Sequence, residues 1–289
     1  MDERRFKDLS ELTLMDDYMF GAVMQDPVIA KTVIEQILSK KLRRVAYVEP
    51  QRTMKERYAA RAVRLDLYVE DEQGNIYNVE VQTTNKHNLP QRMRYYQSII
   101  DLHILAPGAD YLSLRPCYLI FICNYDPFRL GRCVYTFENR CLEVSGLAFG
   151  DDTTKVVVNT KGIQPDISDE LRDMLRYIDT GEVSGDAGDS ISALLDRAVS
   201  RVKNSEERRR EYMVMMAWEM EKMAEGRRVG RREGRQEGRQ EERSLYSAMV
   251  QKLLAMNRYD DLKRASEDNA YCAKLYRELG LVSVDDQPC

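Results

Sequence analysis

Two carboxylates and one amide stand at alternate positions of two short segments that have the pattern of a β-hairpin. Asp66 lies in the first segment, and Glu80 and Gln82 lie in the second. Apolar residues alternate with polar ones in both segments, which predicts two strands whose opposite faces meet different surroundings. Carboxylate and amide oxygens are the ligands that hard divalent cations such as Mg²⁺, Mn²⁺ or Ca²⁺ prefer.

The turn between the two segments decides which of these side chains face each other. Residues 72–74 fit a three-residue loop, a type I turn that ends in a glycine with left-handed backbone. If Asp71 and Asn75 flank this loop, Asp66 lies directly opposite Glu80, with the two Cβ atoms about 5 Å apart. Carboxylates held so close repel each other unless a cation lies between them, which predicts a metal site. The alternative is the solvated face of a half-buried sheet, and a register shift of one residue would separate the pair.

Three further side chains are candidates for the same site. Glu35 lies beside the apolar stripe of the helix predicted to begin at Asp26, and it either completes the metal shell through water or is a surface glutamate. Arg92 and Tyr96 are four residues apart in the helix predicted after the hairpin, so they share one helical face. Arg92 either binds phosphate and stabilises developing negative charge, or stacks on Tyr96 for structural reasons.

The elements around the hairpin predict an α/β fold. Asp26 and Pro27 mark the start of a helix, as N-cap and first helical residue. The other predicted elements are a strand at 43–48, a helix at about 90–105, a buried strand at 118–123 and two further strands near 133–138 and 155–160. Helix, hairpin, helix and apolar strand in this order favour a mixed sheet flanked by helices.

From about residue 166 onward the sequence predicts only helices. Residues 166–224 form a helical region that includes a methionine stripe (Met213, Met216, Met220 and Met223), typical of a core or a helix–helix seam. Residues 225–243 repeat Gly and Arg with a period of four, and residues 244–289 form a small helical module. The repeat stacks like charges at i,i+4, and each glycine costs about 1 kcal/mol relative to alanine, so an isolated helix would be marginal. A frayed linker, a self-association stalk and a phosphate-contacting arm remain alternatives for the repeat.

Composition and charge exclude several classes of protein. The 289 residues are 43% apolar and 32% charged, with a net charge of −4, which does not indicate an obligate nucleic-acid binder; any such binding needs local positive charge. No apolar run approaches the roughly 20 residues that span a bilayer. The N-terminus lacks the apolar core of a signal peptide, and the six cysteines form no CxxC pair. We therefore expect a cytoplasmic protein with no membrane partner.

Several motifs together resemble one known family. They are LTLMDDYMFGAVM near the start, the Asp…Glu-x-Gln hairpin that ends in NVEVQ, RMRYYQ, PGADYLSLRPCYLIFICNY and the repeated EGR. The combination resembles the PD-(D/E)XK nuclease family transposases, relatives of the recombination-promoting nucleases, over roughly residues 10–160. The resemblance implies a restriction-endonuclease-like fold, with residues 1–165 as the nuclease-like domain. It also implies metal-dependent hydrolysis of DNA phosphodiesters in the context of mobile elements or recombination.

The resemblance also assigns roles to residues of the hairpin. It implies that Asp66 and Glu80 bind Mg²⁺ and that Gln82 takes the place of the lysine found in the wider superfamily, while Leu65 stands where the motif has proline. Glutamine carries no charge, so Gln82 orients water or gives an amide oxygen to the metal. The expected partners are DNA and further copies of the chain, bound through the helical C-terminal half. The alternatives are a DNA-binding accessory protein with a decayed site and an oligomeric helical scaffold.

Overall fold

The computed structural model describes residues 7–54, 63–184, 188 and 190–282. Its helices are α1 (Asp17–Val23), α2 (Pro27–Leu38), α3 (Leu89–Ile104), α4 (Asp169–Thr180), α5 (Ile191–Lys203), α6 (Glu206–Ala255), α7 (Tyr259–Glu267) and α8 (Asn269–Glu278). Its strands are β1 (Val45–Met54), β2 (Val63–Asp71), β3 (Ile76–Gln82), β4 (Cys117–Cys123), β5 (Val134–Phe137) and β6 (Thr153–Asn159). The chain divides into two compact units, Met1–Met213 and Val214–Cys289.

The described strands form one mixed sheet in the order β1-β2-β3-β4-β6-β5. The pairs β1–β2, β2–β3 and β5–β6 are antiparallel, whereas the pairs β3–β4 and β4–β6 are parallel. Strand β4 is almost wholly apolar because both of its faces are covered, as is usual for a central parallel strand. The predicted α/β class with a mixed sheet and a helical C-terminal region is confirmed.

The hairpin has the register that its turn predicts. The ladder runs from Glu70 opposite Ile76 to Leu67 opposite Val79, and beyond its end the Asp66 N–H donates to the side chain of Glu80. The Gly74 N–H donates to the carbonyl of Asp71 at 3.0 Å, and Gly74 has a φ of +82°, as the predicted turn requires. The register is therefore fixed by chemistry that is local to the turn.

The buried carboxylate of Asp71 holds this turn in place. It accepts hydrogen bonds from the backbone N–H groups of Gln73 and Asn75, both at 2.9 Å. It also accepts from the Asn75 amide at 2.7 Å and from the Tyr77 hydroxyl at 2.9 Å. These contacts satisfy a buried charge with four donors and keep the two strands in one alignment.

Helix α3 covers the face of the sheet on which Glu80 lies. Its buried residues pack with side chains of β2, β4 and β6 in one apolar cluster, which includes Met93, Tyr96, Ile100, Tyr68 and Phe121. Helix α3 thus lies over the polar side chains of the hairpin.

The predicted start of α2 is also confirmed, because the Asp26 carboxylate accepts from the Val28 N–H at 2.9 Å.

Strand β1 is longer than the sequence predicted. The prediction ended at residue 48, whereas β1 continues to Met54 and pairs with β2 along most of its length. Pro50 lies within β1, and proline is tolerated there because β1 is at the edge of the described sheet. Pairing with β2 therefore overrides local preference.

Helix α6 runs without interruption through the glycine–arginine repeat as one helix of 50 residues. The predicted marginal stability of the repeat as an isolated helix stays a prediction. The methionine stripe is not a core, since Met213 and Met220 are 63% and 53% exposed.

In the second compact unit the core is formed by the end of α6 with α7 and α8, through Met249, Leu253, Ala265, Cys272, Leu275 and Leu279. None of the helices in the described residues has the length and apolarity that a membrane crossing requires.

Candidate active site

Asp66 and Glu80 are buried side by side in the hairpin. Glu80 is fully buried and Asp66 is 8% exposed. The Asp66 N–H donates to Glu80 Oε1 at 2.9 Å, and the Val81 N–H donates to Asp66 Oδ2 at 3.2 Å. Each carboxylate is thus held by a backbone amide of the opposite strand, which fixes both at the same place on one face of the sheet.

The protein compensates the charge of this pair only in part. Burial raises the pKa of Glu80 well above its ordinary value, and the neighbouring charge of Asp66 raises it further. The hydrogen bond from the Asp66 N–H and the positive charge of Arg92 act in the opposite direction but are smaller. An added cation would favour the ionised form of Glu80, so the electrostatics of the pair suit a metal site.

Arg92 brings the other predicted residues to the carboxylates. Its guanidinium donates to Glu80 Oε2 at 3.2 Å and to Gln82 Oε1. It also donates to the Tyr96 hydroxyl, at 2.7 Å and 3.1 Å, and lies over the rings of Tyr96 and Phe121 at 5.0 Å and 5.3 Å from their centroids. The structure therefore brings Glu80, Gln82, Arg92 and Tyr96 into one network, while their roles in catalysis remain predictions.

The orientations of Gln82 and Tyr96 follow from their partners. The Gln82 amide nitrogen donates to the carbonyl of Thr84 at 2.9 Å, so its oxygen is turned toward Arg92. Burial, and next the negative charge of Glu80, raise the pKa of Tyr96 above its ordinary value. Tyr96 therefore keeps its proton near neutral pH and serves as a hydrogen-bonding group that holds Arg92.

Glu35 is engaged elsewhere. Its carboxylate accepts from the Leu42 N–H at 2.7 Å and from the Lys41 ammonium at 3.4 Å, so it holds the chain that follows α2. Within the described ranges, no group of three or more His, Cys, Asp and Glu side chains is placed to hold a metal ion. The structure therefore does not bring Glu35 together with Asp66 and Glu80, and its part in the metal shell stays a prediction.

Asn78 is a residue of this face that the sequence argument passed over. It is fully buried, pairs with Tyr68 in the ladder and precedes Glu80 by two residues, so both point to the same side. Neither its side-chain oxygen nor its nitrogen has a hydrogen-bond partner among the described residues. The alternation that placed Glu80 and Gln82 on one face also includes Asn78, so the signal was present in the sequence.

The donor set fits a hard divalent cation. Mg²⁺ is usually bound through one or two carboxylates and keeps several waters, so a site with two carboxylates is sufficient. The amide oxygens of Gln82 and Asn78 are of the same ligand class, and the buried oxygen of Asn78 has no partner in the described residues. Arg92 has to leave Glu80 Oε2 and Gln82 Oε1 before these two oxygens can serve a cation.

The sheet order, the flanking helices and the carboxylate-bearing hairpin define an α/β domain consistent with the restriction-endonuclease-like fold. Residues 16–136, from α1 into β5, match the model of the family described as PD-(D/E)XK nuclease family transposase. No curated protein and no solved structure matches the chain. The family indicates a function of the nuclease type.

Proposed function

We propose that the chain is a metal-dependent DNA endonuclease that hydrolyses phosphodiester bonds and serves mobile elements or recombination. The observation that carries the proposal is the buried pair of Asp66 and Glu80 in a domain of a nuclease family. Two opposed carboxylates beneath a helix are electrostatically costly, so their presence is best explained by a cation that they bind. The catalytic domain in this proposal comprises residues 1–165, and the metal ion is Mg²⁺, with Mn²⁺ or Ca²⁺ as substitutes.

In this proposal Asp66, Glu80 and Gln82 have different roles in the hydrolysis. Asp66 and Glu80 hold the ion, with backbone amides fixing both carboxylates. When bound, Mg²⁺ lowers the pKa of a coordinated water and polarises a phosphoryl oxygen. Gln82 orients water or gives its amide oxygen to the ion, since it has no charge to offer.

Arg92 supplies the positive charge that Gln82 lacks. Once it leaves Glu80 and Gln82, its guanidinium remains tied to Tyr96 by hydrogen bonds and ring stacking. A guanidinium held in this way can pair with a phosphate and neutralise charge as the bond breaks. Tyr96 is therefore a positioning residue that acts through Arg92.

The test is nicking of supercoiled plasmid DNA with Mg²⁺ and with EDTA. Asp66→Asn and Glu80→Gln should each abolish Mg²⁺-dependent nicking while the far-ultraviolet circular dichroism spectrum stays unchanged. Glu72→Gln is the matched control, because Glu72 is a carboxylate of the same hairpin that is 48% exposed in the turn. Full cleavage by either buried-site variant would overturn the assignment, as would cleavage by the native protein in EDTA.

The proposal includes a homo-oligomer formed through the helical C-terminal half. Helix α6 exposes Val214 to 71% and Trp218 to 53%, and these residues are four apart on one face of the helix. Large apolar side chains that face solvent on one helix are typical of an association surface. A further copy of the chain would bury them.

A further inference from the structure

Helix α6 carries a continuous basic face that the nuclease chemistry does not use. We call it the arginine stripe, and it consists of Arg227, Arg228, Arg231, Arg232, Arg235 and Arg239, all exposed. The six side chains surround one open depression together with Gln236. At about 100° and 1.5 Å per residue, the stripe spans an arc of about 140° and a length of about 18 Å.

The helix itself offers these arginines almost no acidic partner. Among the described residues, no carboxylate lies within 4.0 Å of any guanidinium of the stripe. The cause is the four-residue period, which puts arginine over arginine and Glu233 over Glu237, so every i,i+4 pair of two charged residues within 227–239 carries like charges. Such pairs destabilise a helix by a few tenths of a kcal/mol each. The period therefore separates the charges onto opposite faces at some cost in helix stability.

The result is a local charge opposite to that of the whole protein. Residues 227–239 hold six arginines against two glutamates, which leaves four positive charges in a chain whose net charge is −4. The sequence predicted that any nucleic-acid binding would need such a local concentration of positive charge. The stripe meets that requirement.

The composition of the segment distinguishes among anionic partners. Val229 is the only aliphatic or aromatic residue in 225–243, so the helix has no apolar face to insert into a membrane surface or to form a coiled-coil seam. A second copy could pair its acidic face with the stripe, but exposed ion pairs contribute only about 0–1 kcal/mol each. A polyanion releases counterions from each neutralised phosphate, which is the stronger effect for six unpaired arginines.

We propose that the arginine stripe binds the phosphate backbone of double-stranded DNA, without sequence preference, as a site separate from the hairpin. Arginines four apart rise about 6 Å along the helix, so successive guanidinium groups can contact successive phosphates. The choice of DNA among polyanions rests on the proposed nuclease function, whereas the presence of a phosphate-binding site does not. In this proposal the arginine stripe increases the affinity for DNA, and the residues of the hairpin carry out the phosphodiester hydrolysis.

The experiment measures the salt dependence of DNA binding with the full chain. Fluorescence anisotropy of a labelled duplex of about 30 base pairs is followed between 50 and 200 mM KCl in EDTA. Glu80→Gln serves as the parent protein so that cleavage cannot interfere. In this parent, Arg231→Gln, Arg235→Gln and Arg239→Gln are combined, and the matched control combines Glu233→Gln, Glu237→Gln and Glu241→Gln on the opposite face.

The slope of log K against log salt should fall in magnitude by about 0.9 for each phosphate that is no longer neutralised, hence by about 2.7 for three arginines. Raising the salt from 50 to 200 mM weakens DNA binding by a certain factor in the parent protein. In the arginine-to-glutamine variant this factor should be about 40-fold smaller. The glutamate variant should keep the slope of the parent. Replacing the same arginines by lysine should also keep it, which separates the removal of charge from a disrupted helix.

Three results would overturn the inference: no DNA binding by the parent, an unchanged slope in the arginine-to-glutamine variant, or a lower sedimentation coefficient of that variant without any change in DNA binding. The last result would identify the stripe as a contact between copies of the chain. Failure of the nuclease proposal is seen separately, as absence of plasmid nicking by the native protein. DNA binding in EDTA does not depend on that outcome.

Discussion

Removing the guanidinium of Arg92 should lower the free energy of unfolding of the metal-free N-terminal unit by about 3 kcal/mol. Its partner Glu80 is fully buried, and the Arg92 side chain is 32% exposed. Breaking a buried ion pair by deleting one partner costs about 3–5 kcal/mol, because the remaining charge is left uncompensated. The partial exposure of Arg92 places the expected cost of Arg92→Ala at the lower end of this range.

The same substitution should cost less when Glu80 carries no charge. In a Glu80→Gln background, Arg92 still stacks on Tyr96 and Phe121 and bonds the Tyr96 hydroxyl. Such stacking contributes about 0.5–1 kcal/mol at a partly exposed site, and a hydrogen bond contributes about 1 kcal/mol. Arg92→Ala should then cost about 1.5–2 kcal/mol, so the coupling between Arg92 and Glu80 is about 1–1.5 kcal/mol.

A double-mutant cycle measured by urea unfolding at pH 7 in EDTA checks this value. The four proteins are the native chain, Arg92→Ala, Glu80→Gln and the double variant. Arg94→Ala is the control, since Arg94 is exposed on the same helix and should change stability by no more than about 0.5 kcal/mol. If Arg92→Ala costs the same with and without the Glu80 charge, the argument that this ion pair compensates a buried carboxylate is refuted.

Two further predictions concern pH and assembly. Because the pKa of Glu80 in the folded protein is raised above its ordinary value of 4.5, its contribution to stability is fully present below that pH and is lost as the pH rises through the folded-state pKa. Melting temperatures in EDTA should therefore fall with rising pH more steeply for the native protein than for Glu80→Gln, and parallel curves would contradict this. Combining Val214→Ser with Trp218→Ser should lower the sedimentation coefficient at equal protein concentration, whereas the neighbouring exposed control Glu221→Ser should not. Equal coefficients for all three proteins would speak against assembly through α6.

The hairpin was predictable because everything that sets its register is local. The glycine at position 74, the flanking Asp71 and the alternation along both strands are visible in the sequence, and together they predict the register and the proximity of Asp66 and Glu80 that the structure shows. The apolar run that became β4 was equally clear, because a strand with both faces covered has no polar positions. Sequence patterns within a short stretch of the chain therefore predicted the hairpin and β4.

The parts that escaped prediction depend on contacts between elements. Strand β1 continues past Pro50 because β2 offers it an edge to pair with. Arg92 was a candidate for phosphate binding, but nothing in the sequence shows that its guanidinium bonds Glu80 and Gln82, since this needs α3 to lie over the hairpin. Asn78 shares a face with these residues, yet its lack of partners is a property of packing.

Gln82 is best understood through Arg92. A lysine at position 82 would bring its own positive charge to the carboxylates, and it would then face the guanidinium of Arg92 with like charge. The glutamine oxygen instead accepts a hydrogen bond from that guanidinium, while the rings of Tyr96 on α3 and Phe121 on β4 pack against the guanidinium. In this chain the positive charge beside Glu80 therefore comes from the helix rather than from the strand. The glutamine is matched to the arginine, so its presence does not imply that the site has lost its cationic group.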